Sequence, residues 1–201
     1  MRDIRKFFAG VAFVLAAVAA PAAAQTTLSL GFGYAGSSGI DNAATEASAE
    51  VRSTAVWNLA LGKLLDGTRE GQLLFQQQST TLDPGGGAAP FDLTIRHLHL
   101  GGTVFFDDTV GKGAYVVGGL GATQFSPSTT GLGSEVRPSL SLGIGYSWPL
   151  AERIDLRAEV RGFFVLVNSN GDFLCSGGCV VLLTSDLFSQ VQATIGILGR
   201  F

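Results

Sequence analysis

The chain has 201 residues, 13 basic and 16 acidic, for a formal net charge of −3. That acidic balance excludes a phosphate-tracking nucleic-acid surface. Hydrophobic residues make up 46% of the chain and charged ones only 14%, below the roughly 25% of soluble domains. Beyond the N-terminus no run reaches the ~18 apolar residues of a spanning helix. Apolar composition without apolar runs is what a membrane barrel needs, because its lipid-facing residues alternate with lumen-facing ones.

Residues 1–24 read as a secretory signal peptide. Arg2, Arg5 and Lys6 make a positive start, Phe7 to Ala20 an apolar core, and Ala22-Ala23-Ala24 a small-residue cleavage site. A membrane anchor is the competing reading, but the core falls short of the ~20 residues a span requires. Residues 25–201 then form one domain, an all-β, eight-stranded antiparallel up-and-down transmembrane barrel.

Eight stretches alternate with period two. The first is Thr27–Gly36, with Leu28, Leu30, Phe32 and Tyr34 on one face, and the second is Val51–Lys63, with Ala55, Trp57, Leu59 and Leu61. Gly71–Thr81 is the third, its period blurred by Gln76-Gln77-Gln78. Leu93–Phe106 is the fourth, with Leu98, Leu100, Val104 and Phe106 on one side. In the fifth, Ala114–Phe125, the residues Tyr115, Val117 and Phe125 share a face. The sixth is Ser139–Trp148, the seventh Ile154–Val167 and the eighth Leu187–Phe201. Long connections (Ser37–Glu50, Leu82–Asp92, Ser126–Pro138, Asn168–Asp186) alternate with short ones (Leu64–Glu70, Asp107–Gly113, Pro149–Arg153). Short periplasmic turns and long external loops are the outer-membrane pattern, and an even strand number puts both termini on the short-turn side.

The signal peptide, the eight alternating strands and the terminal Phe201 resemble the small eight-stranded outer-membrane barrels: the OmpA transmembrane domain, the OmpX/Ail group and OmpW. HLHLGGTVFFDD (97–108) and YVVGGLGATQFSP (115–127) resemble the strand-turn-strand unit of the outer membrane protein beta-barrel domain family. The C-terminus resembles the assembly signal of such barrels, with Gly199 where an aromatic usually stands. The resemblance implies a Gram-negative outer membrane, with membrane lipid, lipopolysaccharide and the barrel-assembly machinery as partners. The surface partner is unknown, and no cofactor is implied.

Arg157, Glu159 and Arg161 lie at i, i+2, i+4 on one strand face, opposite Leu156, Ala158 and Val160. Charge on the lipid side costs ~2–4 kcal/mol per Arg at mid-bilayer, so these three face the lumen. Gln190 and Gln192 flank them on the eighth strand, and Ser139 to Ser147 supply small residues on the sixth. An eight-stranded interior is just wide enough to be filled by side chains. Glu159 is expected to pair with Arg157, with Arg161 or with a cross-strand base. His97 and His99 share a lumenal face and are expected to hydrogen-bond Gln76 or Glu159. A metal pair lacks further ligands, and the histidine–serine spacing of a PagL-type deacylase is not met. Cys175 and Cys179, the only cysteines, are expected to form a disulfide in the last long loop, with a metal pair as the alternative. Trp57, Trp148, Tyr34, Tyr115 and Tyr146 read as an interfacial belt.

The leading expectation is a non-enzymatic structural or surface-interaction barrel whose lumen is filled by polar side chains. A narrow OmpW-like channel for small apolar solutes is the alternative, with Leu74, Leu120 and Leu198 as its lumenal leucines. A lipid A-modifying enzyme of the PagP or PagL kind and a soluble periplasmic barrel stand behind it.

Overall fold

Every second residue along most of the chain is small or polar, and the residues between are apolar. Such a chain satisfies its backbone and hides one face only by closing on itself. The computed structural model describes residues 26–37, 40–41, 48–83, 89–107, 109–129, 133–167 and 187–201. The expected signal peptide and the Cys175–Cys179 pair lie outside the described residues.

Among the described residues there are ten strands: β1 (Thr26–Ser37), β2 (Ile40–Asp41), β3 (Ser48–Val51), β4 (Thr54–Leu64), β5 (Arg69–Asp83), β6 (Phe91–Phe105), β7 (Gly113–Pro127), β8 (Glu135–Ala151), β9 (Ile154–Leu166) and β10 (Leu187–Arg200). The eight long ones form the wall, each antiparallel to its neighbours; β1 pairs with β10, and β5 with β6, so the ring is closed. Partners can be followed once round, from Gly36 through Val191, Gly162, Leu142, Gly118, Gly102, Gly71 and Lys63. The path returns to β1 at Thr26, ten residues from its start. Such a stagger goes with strand tilts of about 35–45°.

Three strands differ from expectation in ways that bear on the lumen and the wall. Val51 belongs to β3, which pairs with β5, and the wall strand begins at Thr54 after a break in which the Arg52 amide bonds Thr81 O at 3.0 Å. β5 begins at Arg69, which brings Glu70 out of the expected turn and into the wall. β8 runs from Glu135 to Ala151, well past the expected ends. In the last two cases the ladder continues past the apolar segment, because polar residues end a lipid-facing stripe without ending strand pairing.

Short turns close one end of the barrel. Asp66 accepts hydrogen bonds from the Thr68 amide at 2.9 Å and the Arg69 amide at 2.8 Å. These donors and the Arg69 guanidinium lower its carboxyl from 3.8 to about 2. In the next turn Gly111 and Gly113 take φ of 90° and 81°, a region L side chains rarely adopt. There the Val110 amide bonds Gly67 O at 2.8 Å. The start of β1 meets the end of the chain here, where the Phe201 amide donates to Thr26 O at 2.8 Å and the Thr26 amide to Phe201 O at 3.2 Å.

At mid-height the outward face is apolar all round: Leu30 and Phe32 on β1, Leu100 on β6, Leu120 on β7, Leu142 and Ile144 on β8, Val160 on β9 and Ile195 on β10 are all exposed. The inward face of β5, β6, β8, β9 and β10 holds Gln72, Gln76, His97, His99, Ser141, Arg157, Arg161, Gln190 and Gln192, all buried. A polar core inside an apolar shell is the inverse of a soluble protein, and it is the arrangement of a barrel in lipid.

Candidate functional site

The lumen is the only place where chemistry-bearing side chains converge among the described residues, and it is layered. At the short-turn end Asp155, fully buried, pairs with Arg200 at 2.9 Å. Arg200 also donates to Val110 O at 3.0 Å, which holds the turn beneath the barrel mouth. Above it Phe105, Val110, Tyr115 and Val117 form an apolar cluster.

The charged layer follows. Glu70 accepts from Thr27 and pairs with Arg157 at 2.9 Å. The Arg157 guanidinium stands 5.4 Å from the Phe105 ring centroid and 5.3 Å from that of Tyr115, within the range of cation–π attraction. Tyr115 donates to Glu159 at 3.1 Å, Glu159 pairs with Arg161 at 2.8 Å, and Arg161 donates to Gln72 at 3.2 Å. Two carboxylates and two guanidiniums thus form one neutral crossing network. The small residues beside them make it possible. A Cβ at Gly145 would strike the Tyr115 ring, and one at Gly143 would sit 3.1 Å from the Arg161 Cβ.

The histidines lie one layer higher. His97 bonds Thr123 at 2.8 Å and Gln190 at 2.9 Å; His99 bonds Ser141 at 2.9 Å and Ser139 at 2.8 Å. Gln190 donates on to Gln78, and Gln78 to Thr54 at 2.9 Å. Phe163 stacks on His97 with centroids 4.1 Å apart and meets His99 edge-on. Gln76 and Glu159, the expected partners, do not serve the histidines. Gln76 stands beside His97 in register, but the ring nitrogens are taken by Thr123, the register partner of His97 on β7, by Ser139 and Ser141 of β8, and by Gln190 of β10, which only closure brings within reach. Above this layer Val51, Leu82, Leu93, Ile95, Phe125, Val165, Val167 and Phe188 fill the lumen as an apolar collar.

The residues singled out from sequence, Arg157, Glu159, Arg161, His97, His99, Gln190 and Gln192, all point into this lumen, and all but Glu159 are buried. Phe201 is exposed at the seam, its ring folded back over Gly199 at 3.4 Å from a Cβ there. Two expectations are corrected. Tyr115 is not part of the outward belt but is buried in the lumen. Leu120 is not lumenal but 68% exposed on the outward face. On β7 both faces are apolar, so alternation alone does not say which is which. Leu74 and Leu198 are buried inward. Sequence reasoning missed Glu70, Asp155 and Phe163. Glu70 keeps step with Gln72, Leu74, Gln76 and Gln78, and Asp155 with Arg157, so parity alone pointed both inward.

A cavity of about 30 Å³ lies among Asn58, Gln72, Tyr115, Arg157, Glu159 and Arg161. That is room for about two water molecules. Among the described residues no group of three or more His, Cys, Asp or Glu side chains is placed to hold a metal.

No protein-family model and no curated protein sequence matches the chain. Solved structures do. The chain is similar to Neisserial surface protein A (NspA), with a TM-score of 0.64 and 13% identity over 88% of this chain and 97% of that one. It is similar to the N-terminal β-barrel domain of Pseudomonas aeruginosa OprF, at 0.50 and 15%, over 88% and 97%. A third likeness is to the outer membrane protein AlkL, at 0.51 and 14%, over 90% and 94%. The fold is that of the small outer-membrane β-barrels.

Proposed function

We propose that the protein is an integral barrel of a Gram-negative outer membrane, with its termini and short turns in the periplasm and its long loops outside, and that its role is structural or surface-interacting. One observation carries this reading: the lumen is closed at every level, by the Arg200-anchored turn, the neutral charged network, the histidine–amide layer and the apolar collar. The cavity beside the charged network has room for about two waters. Membrane lipid, lipopolysaccharide and the barrel-assembly machinery are the partners in this reading, with Phe201 as the residue read during assembly. No catalytic role falls to the histidines, since both nitrogens of each ring are engaged by buried neutral partners.

A narrow channel for small apolar solutes is the second reading. It is favoured by the collar, which offers an apolar lining at the external end. Conductance in a planar bilayer separates the two. A sealed barrel shows at most small, infrequent openings, made more frequent by Glu159→Ala, which leaves Arg161 without its counter-charge. Large, steady wild-type currents, or uptake of an apolar solute that Phe125→Ala accelerates, would favour the channel.

A further inference from the structure

The outward face of β5–β7 changes character over four cross-strand rows. Leu73–Leu100–Leu120 and Phe75–Leu98–Ala122 are lipid-compatible. The next row is Gln77–Arg96–Gln124, and the one after it is Ser79–Thr94–Ser126. Arg96 is thus a charged residue on the lipid side of the wall, directly above an aromatic and leucine row. Its height can be placed. Arg96 stands nine positions before Phe105, the last residue of β6. A rise of about 2.5 Å per residue along a barrel axis at these tilts puts it roughly 23 Å above the periplasmic end, at the upper edge of an apolar band about 25 Å tall. That is headgroup level.

The side chains beside it hold the guanidinium by their amide oxygens. Arg96 Nε donates to Gln77 Oε1 at 2.9 Å, and Nη1 to Gln124 Oε1 at 3.4 Å. Both amide oxygens are turned toward the guanidinium, so both NH₂ groups face away from it. Among the described residues no carboxylate forms an ion pair with Arg96, and its positive charge has only neutral partners. With Nε and Nη1 held by the two amide oxygens, Nη2 is left to donate to a phosphate oxygen, the positive charge has no carboxylate partner among the described residues, and hydroxyls stand one row higher.

We infer that Gln77, Arg96 and Gln124 bind a phosphate of an outer-leaflet glycolipid, whose acyl chains lie down the wall over Leu98, Phe75 and Leu100. The occupant is a lipid and not a free anion because the site sits on the apolar border. A ligand held there covers Phe75 and Leu98 only if it carries hydrocarbon below its phosphate. The inference rests on the outer-membrane placement proposed above and adds to it a specific headgroup site.

The test uses the chain extracted from membranes and reinserted into phosphatidylcholine vesicles, alone or with bis-phosphorylated lipid A, with dephosphorylated lipid A, or with inorganic phosphate in the buffer. The readout is the unfolding temperature of the inserted barrel as each probe is titrated. For wild type, bis-phosphorylated lipid A raises that temperature, and neither the dephosphorylated lipid nor inorganic phosphate does. In Arg96→Gln the titration midpoint moves up by about tenfold, the factor that loss of one charge-assisted hydrogen bond corresponds to. Arg69→Gln, at the periplasmic start of β5, leaves it unchanged. A barrel that inserts but responds equally in wild type and Arg96→Gln overturns the headgroup site and leaves the barrel reading standing. Equal stabilisation by inorganic phosphate or by dephosphorylated lipid overturns the phospholipid assignment. Loss of a dimer in Arg96→Gln with no lipid A effect assigns the row to self-association instead. A chain that does not insert into any of the vesicles overturns both readings.

Discussion

The wall of this barrel ends differently on its two sides. On β5–β7 the outward face turns polar at Gln77–Arg96–Gln124, and Ser79, Thr94 and Ser126 continue it. On β9 and β10, at the same distance from the short turns, Val191 still faces outward, and Leu166 and Leu187 lie beyond it, all exposed. On β6 and β7 the inside reverses at the same height: His97 and Thr123 lie below it, and Leu93, Ile95 and Phe125 are buried above it; on β5 the buried Gln78 and Thr80 carry the polar run on up to Leu82. Inside and outside thus exchange character along single strands. Strand pairing is indifferent to this change, whereas the side chains follow whichever solvent they meet. Below the switch the barrel is built for lipid around a polar centre. Above it, the β5–β7 side is built as a small water-soluble protein with its own apolar core.

The comparison depends on the mid-height lumen being held by its own polar contacts, and the largest effect is expected there. Glu70→Ala strands the Arg157 guanidinium, whose side chain is 8% exposed. Removing one partner of a buried pair costs about 3–5 kcal/mol, read as a fall in the urea midpoint of the lipid-inserted barrel. A change below 1 kcal/mol would mean that water already solvates the site.

The apolar core above the switch is tested by Leu93→Ala. Leu93 is 1% exposed, and truncating a leucine in a packed core costs about 2–5 kcal/mol. If that end instead frays in water, the same urea titration will register almost no loss.

The outward face is tested with one substitution at two heights. Leu100→Arg, two rows below the switch, is expected to cost about 2–4 kcal/mol; Thr94→Arg, one row above it, about 0–1 kcal/mol. Equal penalties in reversible folding into vesicles would remove Arg96 from the lipid border.

The smallest effect lies outside the membrane. The Asp66 carboxyl is depressed from 3.8 to about 2 in the folded chain. A depressed carboxyl contributes to stability above its unfolded value, and that contribution is lost as pH falls through its folded value. Hydrogen exchange at the Thr68 and Arg69 amides is therefore expected to be slower in wild type than in Asp66→Asn at pH 6, with the difference closing between about pH 4 and pH 2. A difference that persists at pH 2 would assign the turn's order to something other than the ionised carboxylate.

Much of this architecture was legible in the residues themselves. Period-two alternation placed all eight wall strands. It sent Arg157, Glu159, Arg161, His97, His99, Gln190 and Gln192 inward, because the two faces of each strand meet different media and a slip of one residue would exchange them all. Tertiary structure alone decided who meets whom. Glu70 and Arg157 are brought together by ring closure across 87 positions of sequence. His97 meets Gln190 of β10 for the same reason. On β7, where Tyr115 and Val117 on one face are as apolar as Val116 and Leu120 on the other, alternation carries no direction. There the choice falls to packing. Gly145 on the neighbouring strand leaves the space that the Tyr115 ring occupies, and with Tyr115 inside, Leu120 has only the lipid side to face.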